Sequence, residues 1–294
     1  LVALEILNHR RVAREGLAHP FAGDERAAVD ELERCLTESV ALRMIADVPL
    51  GAFLSGGIDS SLVVALMRAR TTAPVRTFTI GFEEKEYDES GWARAIAKHL
   101  GTEHTEQVVT AADALAAVPR IASMFDEPFA DPSQVPTLLV SELARRHVTV
   151  ALSGDGGDEL FAGYKRYALF ADLRNTLSRL PRGARRALGQ VLGVVPVDAA
   201  NRLLGFADPW LRRYGSGGSA GDKIRKLADL LALPDDRALY VDLMSHWKNP
   251  ERLVAGSVPR PRLADVADRP AGFSDPIHPL MFDDTLAYLP DDIL

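Results

Sequence analysis

Cysteine is all but missing from this chain: Cys35 is the only one among 294 residues. A single thiol excludes an internal disulfide framework and fits a reducing cytoplasm. No apolar run approaches the roughly 20 residues that a membrane span needs, and no signal peptide is recognisable. Positive charge is in deficit, with 34 Lys and Arg against 41 Asp and Glu and a formal net charge of −7. That balance argues against a nucleic-acid surface, although a local cationic site is compatible with it. His99 and His104 flank a turn without grouped acids or cysteines at ligand spacing, and read as structural histidines rather than metal ligands. Internal repeats are absent. An initiator Met is missing too, which fits a piece of a longer chain.

What is present supports a folded core. Hydrophobic residues make up 47% of the chain, and the length allows one large or two ordinary domains. The organising stretch is Val48 to Arg70, VPLGAFLSGGIDSSLVVALMRAR. Val48 to Leu54 is short and apolar, as suits a buried strand of a parallel sheet. Leu62 to Met67 continue as a helix apolar on nearly every face, which predicts its burial. Between them, Gly56 and Gly57 lack the Cβ atoms that would hold a phosphate off the backbone, and Ser55, Ser60 and Ser61 add hydroxyls. The open N–H groups and positive dipole end of the following helix favour an anion. Asp59 would repel a phosphate unless a cation such as Mg²⁺ bridges the two. The lysine of a GxxxxGK[ST] loop is missing, so a γ-phosphate grip of that kind is excluded. An ordinary strand-to-helix turn is the plain alternative.

Upstream, Leu1 to Asp24 reads as a lead-in or linker, and Asp24 to Ala46 as an amphipathic helix from its Val29, Leu32, Leu36, Val40 and Ile45 spacing. Cys35, inside that helix, reads as a small core hydrophobe. Downstream, Val75 to Phe82 alternates as a second strand with Gly81 near its end. Glu83, Glu84, Glu86, Asp88 and Glu89 read as a solvated turn and helix start. Trp92 to Leu100 is a helix stopped by Gly101, and Thr105 to Val109 a third strand. Helical patterns at Ala111–Met124 and Gln134–His147 flank a Pro-rich loop whose Asp126, Glu127 and Asp131 read first as structural caps.

Val148 to Leu152 is a fourth strand, and it runs into Ser153-Gly154-Asp155-Gly156-Gly157-Asp158-Glu159. This loop repeats the design of the first: an apolar strand, Ser-Gly, more glycines, acids, then a helix. Ligands of an open parallel sheet sit beyond the carboxyl ends of its strands, where strand order reverses. If the first and fourth strands are neighbours, Asp59 and Asp158 converge and share one Mg²⁺. The fold class is therefore α/β, an open parallel sheet with helices on both faces, followed by a mainly helical part.

SGGIDSS at Ser55–Ser61 together with SGDGGDELFAGY at Ser153–Tyr164 resembles the synthetase domain of glutamine-dependent asparagine synthetases. The first motif alone also admits other pyrophosphate-loop ATP enzymes; the second narrows the choice. The likeness takes in VPLGAFL, TFTIGF, DEPFADPSQVPT and the C-terminal FDDTLAYLPDDIL. It covers most of Ala28 to Lys165 and Phe282 to Leu294, with weaker support between.

The resemblance implies adenylylation of a carboxylate by ATP, followed by attack of ammonia to give an amide: aspartate to asparagine through a β-aspartyl-AMP. It implies that Ser55, Gly56, Gly57, Asp59, Ser60 and Ser61 cradle the pyrophosphate, and that Asp59 and Asp158 carry Mg²⁺. Phe53, Leu54, Ile80, Gly81, Ser153 and Gly154 match the positions lining adenine and ribose. Asp155 matches an acidic position near the acceptor and the amine, so Asp155, Asp59 and Asp158 form the catalytic set. Glu159 and Lys165 are further polar candidates between which the sequence does not choose.

The expected organisation is a linker over 1–24, an ATP-binding core over 25–170 and a helical part over 171–294 that ends before the family's basic C-terminal segment. The glutaminase domain that would supply ammonia from glutamine has no counterpart in these residues and is an expected partner. A homodimer is compatible with the family, and the location it implies is cytoplasmic. Two alternatives stay open: a β-lactam synthetase-like ligase acting on another acid, and a non-catalytic nucleotide-binding relative. In the second half, Arg174, Arg179, Arg182, Arg185 and Arg186 lack interleaved aromatics and read as a solvated helix face. Gly215 to Gly221 reads as a flexible loop, and Pro250 to Pro279 as irregular.

Overall fold

The computed structural model describes residues 2–86, 88–125, 131–196, 198, 199, 201, 219–245, 256 and 269–293. Two compact units divide the chain: Leu1–Gly163 with Asp268–Phe273 and Met281–Leu294, and Tyr164–Ala267 with Ser274–Leu280.

The first unit is an α/β layer structure. Helices α1 (Val2–Ala18) and α2 (Glu25–Arg43) precede strand β1 (Leu50–Phe53), helix α3 (Ile58–Arg70), strand β2 (Arg76–Phe82), helix α4 (Ser90–Leu100) and strand β3 (Glu103–Val109). Helices α5 (Ala111–Met124) and α6 (Gln134–Arg145) then lead to strand β4 (Val150–Leu152) and the short helix α7 (Gly157–Phe161). The four strands form one parallel sheet in the order β3-β2-β1-β4. Gly51 pairs with Arg76 on one side of β1 and with Ala151 on the other. The chain builds outward from β1 to β3 and then crosses back to lay β4 on the opposite side, so strand order reverses between β1 and β4.

Alternation along β1 divides the core between the two faces. Ala52 and Leu54 join Val40 of α2, Val64 and Met67 of α3 and Ala93 and Ala97 of α4 in one buried cluster. Phe53 and Phe78 point the other way, onto Val140, Leu143 and Ala144 of α6. Helices thus cover both faces. Local signals set several ends: Asp24 accepts from the Ala27 N–H at the start of α2. Thr110 and Asp113 make a reciprocal capping box on α5, and α4 stops at Gly101 in the left-handed region with φ +65°.

The second unit contains helices α8 (Lys165–Ser178), α9 (Arg182–Val194), α10 (Ala220–Ala232) and α11 (Asp236–Met244). α9 packs on α10, with Gly189 against the Ala228 carbonyl and Leu231. Tyr240 of α11 stacks on Tyr167 and meets Phe170 edge-on. Helix α12 (His278–Leu286) runs from the second unit into the first, followed by a π-type turn at Leu289–Ile293. No helix among the described residues is long and apolar enough to cross a membrane.

Several expectations need correcting. The Leu1–Asp24 lead-in is a helix over most of its length. Leu62 is 42% exposed, so α3 buries one face, through Ser60, Val64 and Met67, rather than nearly all of its surface. Cys35 is exposed, with Sγ 3.5 Å from a Glu31 oxygen, and is no core residue. Gly215 to Gly218 lie outside the described residues, as do most of Pro250 to Pro279, Asp126 and Glu127.

Candidate functional site

The first loop ties itself into a cradle. Ser60, buried at the start of α3, places Oγ 3.0 Å from Ser55 Oγ and 3.3 Å from the Ser55 N–H, and donates to the Gly57 carbonyl. The Gly57 N–H donates to Ser55 Oγ at 3.2 Å, and Ser61 Oγ donates to the Gly57 carbonyl. Gly56 turns the chain at φ +86°; a Cβ there would lie 2.7 Å from both the Ala93 nitrogen and Trp92 Cβ. α2 and α5 are capped by their own side chains, whereas α3 has no side-chain cap. The unsatisfied donors of its first turn are therefore left for an anion.

The second loop abuts the first. A Cβ at Gly154 would come within 2.7 Å of the Ser60 nitrogen and 3.1 Å of Asp59 Cβ, and one at Gly157 within 2.7 Å of an Asp59 carboxylate oxygen. At Gly154 a side chain would collide with the backbone of the first loop, and at Gly157 it would displace the Asp59 carboxylate. Asp158 follows at once on α7, and Gly163 closes that turn through its N–H to the Asp158 carbonyl.

Electrostatics report the same proximity. Burial pushes the Asp59 carboxyl above the usual aspartate range, and the neighbouring charge of Asp158 pushes it further. Among the described residues no hydrogen bond or ion pair reaches either carboxylate. Two facing, uncompensated acids beside a row of N–H donors are repulsive alone. They become favourable around a hard cation with oxygen ligands that itself coordinates a phosphate, and magnesium sites commonly use only one or two protein carboxylates.

The remaining expected residues occupy the same edge. Phe53 and Leu54 end β1; the Leu54 side chain is in the core, so only its backbone is available, and its N–H donates to the Phe78 carbonyl at 2.9 Å. Ile80 and Gly81 end the adjacent β2. Ser153 and Gly154 follow β4, and Asp155 is exposed at the tip of the second loop. Glu159 is buried, whereas Lys165 is exposed at the start of α8. Away from this edge, a cavity of about 330 Å³ lies between Arg76, Phe78, Glu103, Thr105, Arg146 and His147, at the amino ends of β2 and β3 and remote from both loops.

Two acids named from the sequence gain defined partners. Asp88, read within a turn and helix start, accepts through Oδ1 from the N–H groups of Phe82 and of Ser90, the first residue of α4, and Ser90 holds its carboxyl below the usual range. It fixes the turn from β2 into α4. Asp131 accepts from the Ser133 N–H at 2.7 Å, as a cap should, and also from the hydroxyl of Tyr288 at 3.0 Å. The Asp-x-Ser spacing signalled the first bond; nothing local signalled the second. His104 behaves as a structural histidine: Nδ1 is 3.0 Å from Thr77 Oγ1, and burial lowers its pKa.

The Asparagine synthase family model matches residues 31–294. The chain belongs to the asparagine synthase family. A Mycobacterium tuberculosis (strain ATCC 25618 / H37Rv) protein whose name carries the words asparagine synthetase (glutamine-hydrolyzing) is 44% identical over 215 residues, 71% of this chain and 33% of that protein. Asparagine synthetase (glutamine-hydrolyzing) 1 of Bacillus subtilis (strain 168) is 38% identical over 185 residues, 63% of this chain and 29% of the relative. The human asparagine synthetase (glutamine-hydrolyzing) is 32% identical over 154 residues, 49% of this chain and 27% of its own length. The chain spans about a third of the length of the curated relatives it matches. The family match also runs through the second half, which the two loop motifs had tied in only weakly.

Proposed function

We propose that this chain carries the ATP-dependent, amide-forming half-reaction of an asparagine synthetase. The observation that carries the reading is the meeting of the two glycine-and-acid loops at the point where strand order reverses, with Gly157 against Asp59. ATP would lie across the carboxyl edge of β1, its pyrophosphate against Ser55, Gly56, Gly57, Ser60 and Ser61 and the first turn of α3. Adenine and ribose would lie over Phe53, Leu54, Ile80, Gly81, Ser153 and Gly154. Asp59 and Asp158 would hold Mg²⁺, which supplies charge neutralisation for the departing pyrophosphate.

The acceptor carboxylate of aspartate attacks the α-phosphorus, and the P–O bond to pyrophosphate breaks. This converts a carboxylate, whose leaving group would be hydroxide, into a β-aspartyl-AMP whose leaving group is AMP. In this reading the free N–H groups of the first turn of α3 meet charge that develops on the pyrophosphate and act without reorganising, while the serine hydroxyls hold the loop in shape. Asp155, exposed at the loop tip, is placed in this reading beside the acceptor, to orient the incoming amine. Ammonia would come from glutamine through a glutaminase domain of a longer protein, a reading in keeping with relatives that are named glutamine-hydrolyzing.

The test uses the full-length protein. Mg²⁺-dependent exchange of labelled pyrophosphate into ATP should require L-aspartate and should be lost in Asp59→Ala and in Asp158→Ala. Exchange that requires another acid would reassign the substrate to a β-lactam synthetase-like ligase. Nucleotide binding without exchange would make the domain a regulatory or scaffolding relative.

A further inference from the structure

The C-terminal segment of the first unit joins two loops that are distant in sequence. α12 is anchored by Asp283, a buried carboxylate that receives both Arg269 Nε, at 2.9 Å, and a second Arg269 N–H. This anchors α12 one turn before its end, and two residues just beyond the helix, Tyr288 and Leu289, reach different loops. The Tyr288 hydroxyl donates to Asp131 Oδ2 at 3.0 Å. Leu289 packs over Gly156, with its Cδ2 3.8 Å from where a Cβ on that residue would stand.

Asp131 sits one turn before α6, and α6 runs back to the amino end of β4, so its own start lies at the carboxyl edge of the sheet. Gly156 caps α7, which carries Asp158, and it directly follows Asp155. Tyr288 and Leu289 therefore bridge the loop ahead of α6 to the loop after β4. They do so on the β4 side of the first loop, away from β2 with Ile80 and Gly81, although Ser153 and Gly154 of the loop after β4 are shared with the nucleotide side. A bond made to a carboxylate is among the stronger hydrogen bonds, and it joins positions 157 residues apart.

We propose that Tyr288 is a positioning residue for the acceptor acid. Its bond to Asp131 holds the loop before α6 against the Asp155 loop, and so shapes the acceptor side of the site rather than the nucleotide side. The inference rests on the acyl-transfer reading above. The chemistry predicts a specific pattern of tolerance. Asp131→Asn keeps a carbonyl oxygen for the Ser133 N–H and turns its NH₂ towards Tyr288, whose hydroxyl can accept, so the tie survives with the bond reversed. Asp131→Ala and Tyr288→Phe both abolish it.

Two measurements on the full-length protein test this. In pyrophosphate exchange, Tyr288→Phe and Asp131→Ala should raise the KM for the acceptor acid roughly tenfold and leave the KM for ATP unchanged. Asp131→Asn should stay near wild type. In amide hydrogen exchange, which needs no activity, protection over residues 131–135 should fall in Tyr288→Phe and Asp131→Ala and persist in Asp131→Asn. An unchanged acceptor KM in Tyr288→Phe, an equal rise in the KM for ATP, or unchanged protection would each overturn the proposal. If wild type shows no acid-dependent exchange, the acyl-transfer reading fails instead, and the tie is judged on protection alone: loss in the two broken variants with retention in Asp131→Asn upholds it, and uniform protection overturns it.

Discussion

The two glycine-and-acid loops look alike as strings of residues and are built differently. The first is held by its own hydroxyls: Ser55, Ser60 and Ser61 bond to one another and to Gly57, and the loop opens a 13-residue helix. The second shows backbone bonds, from Gly157 to Gly154, from Leu160 to Gly156 and from Gly163 to Asp158, around a 5-residue helix closed by Ala162 in the left-handed region. One is a preorganised cradle. The other is a rim whose position depends on what it leans on, the Asp59 side chain on one side and Leu289 on another. In the proposed reading, similar composition serves two tasks, binding an anion through a fixed set of donors and approaching closely enough to share a cation.

The contrast is best broken at the glycines. Gly157→Ala should disable the site, because its methyl group would meet the Asp59 carboxylate, whereas Gly57→Ala should be mild, since its methyl would meet only Ser55 Oγ at 3.3 Å. Overpacking of this kind costs about 1–3 kcal/mol, so Mg²⁺·ATP affinity by calorimetry should fall up to roughly 100-fold for the first and little for the second. Equal losses would mean that the loops are not built differently.

Asp59→Asn removes the like-charge contact as well as a metal ligand. The raised carboxyl of Asp59 means that the folded state binds protons more tightly than the unfolded chain. Its contribution to stability therefore declines as pH rises above the ordinary value of 3.8 and is least favourable at neutral pH. Without nucleotide, Asp59→Asn should melt higher than wild type at pH 7, with the gap closing towards pH 4. It should also lose the stabilisation that Mg²⁺·ATP gives wild type. Thermal melts across pH would check both.

Smaller effects refine the picture. Ser60→Ala removes the shared hydroxyl of the first loop, and urea unfolding should report a loss of about 1–2 kcal/mol. The second loop has no residue in that role. Ala162→Gly relieves a side chain at φ +57°, offset by the entropy of glycine, so a gain of at most about 1 kcal/mol is expected by the same measurement.

Much of this was readable in advance, because the relevant forces are local. Strand, loop and helix follow one another within Val48–Arg70, and turn glycines such as Gly101 act on their neighbours. Adjacency of β1 and β4 was inferable as a condition for Asp59 and Asp158 to meet, and the pairing of Gly51 with Ala151 meets it. What was not readable lies in pairings between remote segments or in which face a helix turns outward. Tyr288 and Asp131 carry no signal of one another. Cys35 sits at helical spacing that fits a buried stripe, but α2 buries only Val40 completely. Asp88 looked like one solvated acid among several because its partners, the N–H groups of Phe82 and Ser90, are supplied by a turn that forms only with the fold.

The reversal of strand order also has a consequence for how the protein is made. Leu50 pairs with Val150, so the first cradle is synthesised long before the rim that completes it. Closing that long loop is a late and entropically demanding event. Until the fourth strand docks, a growing chain displays only the first of the two loops, with Asp59 still without its neighbour Asp158.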